Sequence, residues 1–266
     1  MADYPVDEVL LGDENIRYYV SHNPQNLSVV VKDTTCHDMA EVTKYLREGV
    51  VAAEIAHPNI CRMLHMFLTH DGSNQHVKIV FELVRKRLDI EIQERQRRNP
   101  PGHFSEEELR VFLTKIASAL QLAHSRGVAH RNIDPKHIYI TPSGEYKLSD
   151  LGEAWRGAEE RSMAKTVSGQ FSFMCPKMKR AVSAGLERVE EGYDEKKADV
   201  YSLGVTLLNM GTLYPPSTLS SMRNHDINVE KLLAAVTEHG IRSQFVDIIR
   251  NMLKVEEAER FISITY

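Results

Sequence analysis

The pattern of apolar residues changes near residue 83, and this change constrains the fold more than any other feature of the sequence. Before it, short segments rich in β-branched and aromatic residues alternate with turn residues, a pattern typical of strands. It predicts strands at 9–11, 16–20, 27–31 and 76–83. One helix is predicted among them, over residues 38–56, where apolar residues recur at helical spacing.

After residue 83 the patterns are mostly helical. Ser105 and Glu108 have the spacing of a capping box and predict the start of a long helix. A hairpin is predicted over residues 138–148, and a late amphipathic helix includes Phe245 and Met252. We therefore expect an α+β, bilobal fold: a small β-rich N-lobe with one helix (1–83) and a larger α-helical C-lobe (84–266), together one domain. A cleft between two such lobes is a natural ligand site.

Composition excludes several classes of function. The chain has 266 residues and a formal net charge of −4, whereas non-specific nucleic-acid binding needs a basic excess. No apolar run approaches the roughly 20 residues of a membrane-spanning helix. The three cysteines are sparse, and the acidic N-terminus lacks a signal-peptide core. We therefore expect a cytoplasmic protein that binds neither nucleic acid nor membrane.

Short motifs follow one another along the chain at characteristic spacings. In order, they are Lys32 ending a strand, Glu48 in the helix, Glu82 at the lobe junction, His130-Arg131-Asn132, Asp150-Leu151-Gly152, Cys175-Pro176-Lys177, Asp199 with Gly204, and Arg260. This order resembles the eukaryotic protein kinase family, of the serine/threonine type, over nearly the whole chain. The resemblance implies a protein-kinase-like fold with ATP and Mg²⁺ as ligands.

The resemblance assigns nucleotide binding to Lys32, Glu48, Gly12, Glu82 and Val84. The family's phosphate-covering loop has three glycines, but here only Gly12 remains. Glu14 and Arg17 occupy the other two positions; a carboxylate there repels phosphate, and the arginine would partly offset it. Binding of ATP and Mg²⁺ is therefore expected to be weak. Two alternatives stay open: the hairpin is purely structural, and Lys32 and Glu48 form an ion pair without nucleotide.

The catalytic loop departs most from the family. Residues 130–137 are His-Arg-Asn-Ile-Asp-Pro-Lys-His, where the family has His-Arg-Asp-Leu-Lys-Pro-Glu-Asn. Asn132 replaces the aspartate that accepts the substrate proton, and an amide oxygen has negligible basicity. Asp134 replaces the lysine that neutralises the migrating phosphoryl group. His137 replaces an asparagine that helps hold a second Mg²⁺, an ion that prefers oxygen ligands.

Asp134 and Asp150 each leave an alternative open. Asp134 lies two residues after Asn132 and could serve as a relocated base, although the phosphoryl group would still lack its cation. Asp150 matches the metal-binding aspartate of the family, and the alternative is that it only caps a local turn.

The segment from Asp150 to Pro176 matches the family's activation segment. The resemblance implies that Arg131 receives a phosphate on this segment, with Thr166 the candidate acceptor; an ordinary polar loop residue is the alternative. Lys177 replaces a glutamate that would pair with Arg260. Two cations would then meet, so we expect Glu256, Glu257 or Glu259 to supply an acceptor.

These changes lead to the hypothesis of a catalytically impaired pseudokinase that acts as a scaffold or as the allosteric partner of another protein, an active kinase for example. One alternative is an active or slow ATP-dependent enzyme that phosphorylates protein serine or threonine. Another is an interaction module that never holds nucleotide.

Overall fold

The computed structural model describes residues 4–12, 14–72, 74–84, 86–151, 155–156, 164–220 and 224–261. Two compact units are present: Met1–Arg85 with Ile140–Gly152, and Lys86–Tyr139 with Glu153–Tyr266. The division of the chain into lobes at 1–83 and 84–266 stays a prediction. The compact units differ from them because residues 140–152 pack with the first unit: Cys61 N donates to Leu148 O, and Asn59 Nδ2 donates to Tyr146 O, both at 2.8 Å.

A five-stranded antiparallel sheet and one helix make up most of the first unit. Their bounds are β1 (Glu8–Gly12), β2 (Ile16–His22), β3 (Ser28–Cys36), α1 (Met39–Glu54), β4 (Met63–Asp71) and β5 (Asn74–Glu82). The strand order is β1-β2-β3-β5-β4. Side chains alternate between the two faces of a strand. Accordingly, Val31 and Val80 pack in one hydrophobic cluster, and Val77 and Ile79 pack in another that includes Val42 of α1.

Helix α1 begins at a capped end and lies close to the sheet. The Asp38 carboxylate accepts a hydrogen bond from Glu41 N at 2.8 Å, which satisfies a free amide of the first turn. Gly49 allows the close approach: a Cβ added there would lie 2.1 Å from Met66 Sδ of β4. Gly49 thus lowers helix propensity but gives Met66 room against the helix.

The second unit is mainly helical. Its helices are α2 (Leu88–Gln96), α3 (Glu106–Ser125), α4 (Pro176–Ser183), α5 (Glu195–Thr212), α6 (His225–Glu238) and α7 (Ser243–Met252). Among the described residues, the remaining strands are β6 (Lys86–Arg87), β7 (Val128–Ala129), β8 (Ile138–Ile140), β9 (Tyr146–Leu148), β10 (Trp155–Arg156), β11 (Ala164–Thr166) and β12 (Arg188–Tyr193). The predicted capping box of Ser105 and Glu108 is present at the start of α3.

Helix α5 is buried along almost its whole length and forms the centre of the second unit. Gly204 lets it approach Met252 and Leu253 at the end of α7, because an added Cβ would lie 3.0 Å from Met252 Cβ. The predicted α+β architecture, a strand-rich unit with one helix and a larger helical unit, is confirmed. The described helices include none with the length and apolar content needed to cross a membrane.

Candidate functional site

Lys32 and Glu48 form a buried ion pair in the first unit, as predicted. Lys32 Nζ lies 2.7 Å from Glu48 Oε1 and 2.8 Å from Glu48 Oε2. The two side chains are only 5% and 2% exposed, so this pair is shielded from water. Burial alone would lower the pKa of Lys32, but the charges of Glu48 and Asp150 raise it well above its usual value. The ammonium is therefore charged at neutral pH.

Asp150 completes this cluster of charged side chains. Its Oδ1 lies 3.3 Å from Lys32 Nζ, and its backbone has a φ of 63°, in the left-handed region. The carboxylate is 19% exposed, more than either other member. The structure therefore brings together three of the predicted residues, Lys32, Glu48 and Asp150, and gives Asp150 a role beyond capping a turn. Gly152, the last residue of its motif, lies outside the described residues.

The other predicted nucleotide-binding residues have structural contacts of their own. Gly12 lies opposite Arg17 where β1 meets β2, and a Cβ there would be 2.7 Å from Ile16 O. Glu82 Oε1 accepts hydrogen bonds from Arg62 N at 2.7 Å and Lys147 Nζ at 2.8 Å. Val84 is buried. A nucleotide-binding role for Gly12, Glu82 and Val84 stays a prediction.

The expectation that Arg17 offsets the charge of Glu14 is wrong. Arg17 lies opposite Asp33 in the β2–β3 pair, and their side chains approach to 3.7 Å. Because successive residues of a strand point to opposite faces, Arg17 is on the face away from Lys32. The β2 residue directly opposite Lys32, and on the same face, is Tyr18, whose importance the motifs alone did not indicate.

In the second unit, Asp199 of α5 holds the start of the catalytic loop. Its Oδ2 accepts from His130 N and its Oδ1 accepts from Arg131 N, both at 2.8 Å. Oδ2 also lies 2.8 Å from His124 Nε2, and the carboxylate is 1% exposed. These bonds stabilise the φ of 67° at Arg131, an uncommon value for a residue with a side chain. The backbone of the loop is thus firmly positioned.

Asn132 follows this anchored dipeptide with its side chain half-buried. Its backbone N donates to His130 Nδ1 at 3.3 Å. Gly169 lies nearby with a φ of 91°, and a Cβ added to it would be 2.9 Å from Arg131 O. The loop therefore keeps its shape around position 132 while the side chain offers an amide, which cannot accept a proton at neutral pH.

Asp134 is directed into the loop. Its carboxylate accepts a hydrogen bond from Lys136 N at 2.6 Å and thereby caps the 3₁₀ turn Pro135–His137. The side chain is 2% exposed, and its Oδ1 lies 3.4 Å from His137 Nδ1. A carboxylate so placed is occupied with local hydrogen bonds, which argues against the alternative of a relocated base.

The donor atoms at the predicted metal positions match Mg²⁺ only in part. Asp150 offers a carboxylate, the ligand type that Mg²⁺ prefers. His137 offers an imidazole whose Nδ1 lies 3.0 Å from Asn132 O; since a carbonyl only accepts, Nδ1 carries the proton. Imidazole suits transition metals better than Mg²⁺. Across the described ranges, no group of three or more His, Cys, Asp or Glu could hold a metal ion.

Arg131 reaches the predicted regulatory segment. Its Nη2 donates to Thr166 O at 2.6 Å, and its Nε donates to Tyr193 Oη at 3.2 Å. The Tyr193 hydroxyl also donates to Thr166 O at 2.9 Å. Thr166 is exposed and lies in β11, which pairs with β12. The sequence patterns after residue 83 are mostly helical and no strand was predicted here, so β12 and the role of Tyr193 were missed. Phosphorylation of Thr166 stays a prediction.

The acceptor expected for Lys177 is present. Lys177 Nζ lies 2.9 Å from Glu257 Oε2, one of the three predicted glutamates. Arg260 is fully buried and donates instead to backbone carbonyls, those of Lys254 and Val255 at 2.6 Å. The two cations therefore each have separate acceptors.

Known proteins are similar to this chain in sequence over most of its length. The family described as the protein kinase domain matches residues 14–265. Aurora kinase B of Xenopus tropicalis is 27% identical over 218 residues, which are 80% of this chain and 53% of that protein. The CBL-interacting serine/threonine-protein kinase 9 of Arabidopsis thaliana is 29% identical over 184 residues, 68% of this chain and 36% of that protein. The chain thus spans about half, or less, of the length of these curated relatives.

Proposed function

Because the chain belongs to the protein kinase domain family, we propose that it is a pseudokinase, a kinase-like domain that transfers no phosphate at a useful rate and acts through its partners. The observation that carries this proposal is the burial and hydrogen bonding of the Asp134 side chain. Its buried carboxylate caps the loop, and Asn132 offers only an amide; both observations favour a loop without a general base.

Rate arithmetic supports the same conclusion. Losing a general base costs about 10²–10⁴ in rate, and losing one electrostatic stabiliser of the migrating group costs about 10²–10³. Both losses together would lower a kinase turnover of about 1–100 per second to below about 0.01 per second. Such a turnover lies about a hundredfold or more below the kinase range.

The Lys32–Glu48–Asp150 cluster favours a second candidate, an active or slow serine/threonine kinase. This cluster contains the residues that hold phosphate and one Mg²⁺ in the family. When bound, Mg²⁺ would neutralise charge on the phosphates, and Asp150 is the residue that would hold it. We favour weak ATP binding without efficient transfer, since the second metal position has an imidazole. A module that never holds nucleotide is the third candidate.

Scaffold or allosteric action requires a protein partner, and we propose that this partner is an active kinase in the cytoplasm. Neither nucleic acid nor a membrane is a proposed partner, given the net charge of −4. Thr166 is exposed and its carbonyl accepts a hydrogen bond from Arg131, so phosphorylation of Thr166 would change the charge of a partner-binding surface here.

The proposal is tested by restoring the catalytic loop stepwise. Transfer of labelled γ-phosphate to a peptide is measured for the wild type, for Asn132→Asp, and for Asn132→Asp combined with Asp134→Lys. We expect no transfer above background in the wild type, little gain in the single variant and a larger gain in the double variant. Each is compared with a Lys32→Met version, which reports contaminating kinase.

Full rescue by Asn132→Asp alone would show that the charge at 134 is harmless. Binding is followed separately by thermal shift with Mg²⁺-ATP, where a ligand at about 100 times its Kd adds about 2.7 kcal/mol of stability. The absence of any shift at millimolar ATP would favour the nucleotide-free module.

A further inference from the structure

The pairing of β2 with β3 determines which side chain faces the ammonium of Lys32. Tyr18 is the direct cross-strand partner of Lys32, and Arg17 is the partner of Asp33. Directly opposed residues of an antiparallel pair have side chains on the same face and in contact range. Tyr18 therefore shares the face of Lys32, whereas Arg17 and Asp33 share the opposite face.

Tyr18 and Lys32 are also close in space. Lys32 Nζ lies 5.7 Å from the centroid of the Tyr18 ring, within the range of a cation–π contact. The other neighbours of the ammonium are the two oxygens of Glu48 and one oxygen of Asp150. With these neighbours the Lys32 side chain is only 5% exposed. An anion approaching Lys32 from the β2 side would meet the ring of Tyr18.

The surroundings of Tyr18 keep its hydroxyl neutral. Burial raises its pKa above the usual value, and the negative charges of Asp150 and Glu48 raise it further against the opposing effect of Lys32. Tyr18 therefore adds bulk and a polar group beside Lys32 but no negative charge. Its effect on an approaching anion is steric rather than a charge repulsion.

We infer that Tyr18 controls the access of phosphate groups to Lys32, so that a nucleotide's phosphates reach the ammonium only when the Tyr18 ring turns away. This inference rests on the proposed function, in which Lys32 is the phosphate-binding residue. It adds a steric effect to the charge repulsion expected of Glu14: Glu14 is exposed, whereas Tyr18 faces the lysine. A smaller side chain at position 18 leaves that side of Lys32 open.

Titration calorimetry of purified variants with ATP and with adenosine tests the inference. The opening variant is Tyr18→Val, because a β-branched residue suits a strand; Tyr18→Ala is the second opening variant if the first unfolds. Tyr18→Phe retains the ring. Arg17→Val is the matched control, one residue away on the opposite face.

Removing the ring gives phosphate a direct charge contact, so we expect Tyr18→Val to bind ATP at least about tenfold more tightly than the wild type. Its affinity for adenosine, which has no phosphate, stays the same. Tyr18→Phe and Arg17→Val bind ATP as the wild type does. Adding Lys32→Met to Tyr18→Val removes the gain.

Three results would overturn the inference: unchanged ATP affinity in both opening variants, an equal gain for adenosine, or a gain that persists without Lys32. These results are separate from those for the proposed function, which fails if the wild type phosphorylates peptide at the rate of a kinase. Control of phosphate access by Tyr18 would remain supported in that case, provided that Tyr18→Val still binds ATP more tightly than the wild type.

Discussion

Replacing Asp134 with alanine tests whether this carboxylate shapes the catalytic loop or acts as a base. Its hydrogen bond from Lys136 N, at 2.6 Å, caps the turn Pro135–His137, and the side chain is 2% exposed. Losing a capping side chain costs about 0.5–2 kcal/mol, and we expect the upper value because the bond is shielded from water. A loss of about 2 kcal/mol in a domain of this size lowers Tm by about 4–8 °C.

The measurement is urea and thermal unfolding of the wild type, Asp134→Ala and Asp134→Asn. Asparagine keeps an acceptor oxygen, so Asp134→Asn should lose less than half as much stability as Asp134→Ala. Phosphotransfer measured in parallel should stay at background in all three proteins. The reasoning is refuted if Asp134→Ala is as stable as the wild type and removes a transfer activity that the wild type possesses.

Three further predictions concern packing and ionisation. Gly49→Ala should lower the free energy of unfolding by about 1–2 kcal/mol, because its Cβ would meet Met66 Sδ; adding Met66→Ala should remove part of that penalty in a double-mutant cycle. Burial lowers the pKa of Lys179 to about 8, so burying its charge costs stability most below pH 8. Lys179→Met should therefore stabilise the protein most below pH 8. This gain in the free energy of unfolding should shrink as pH rises from about 8 to 10.5, as measured by urea unfolding at several pH values. Hydrogen bonds from Arg242 lower the pKa of Glu106 to about 2. The contribution of the Glu106 carboxylate to the free energy of unfolding is therefore present above about pH 4.5 and should disappear as pH falls towards 2. The stabilities of the wild type and Glu106→Gln should accordingly converge in acid, as measured by unfolding at several pH values.

Each of these predictions has a clear contrary result. Additive losses for Gly49→Ala and Met66→Ala would show that the two side chains do not meet. A constant gain for Lys179→Met from pH 7 to 10.5 would show that the lysine does not titrate in this range. A pH-independent difference for Glu106→Gln would show that its pKa is not lowered by its arginine partners.

Local signals in the sequence were enough to predict much of the fold. The capping box of Ser105 and Glu108 and the helical period of α1 depend on neighbouring residues, and both are present in the structure. Such features need no knowledge of distant pairing. Lys177 and Glu257, by contrast, are 80 residues apart, and a contact of this kind was expected from the family resemblance and from charge balance.

Features that depend on strand register or loop conformation could not be predicted in this way. β4 lacks the β-branched pattern of the other strands and was missed, as was β12. Tyr18 escaped notice because its importance follows from the β2–β3 register, which alternation along a single strand does not define. The burial of Asp134 follows from the shape of its turn, which spacing alone does not define.

The most direct test of the central claim is the rate at which the purified wild-type chain transfers phosphate from Mg²⁺-ATP to a serine- or threonine-containing peptide. The account predicts a rate no higher than that of Lys32→Met, and in any case below about 0.01 per second. A Lys32-dependent rate within the kinase range of about 1–100 per second would contradict it.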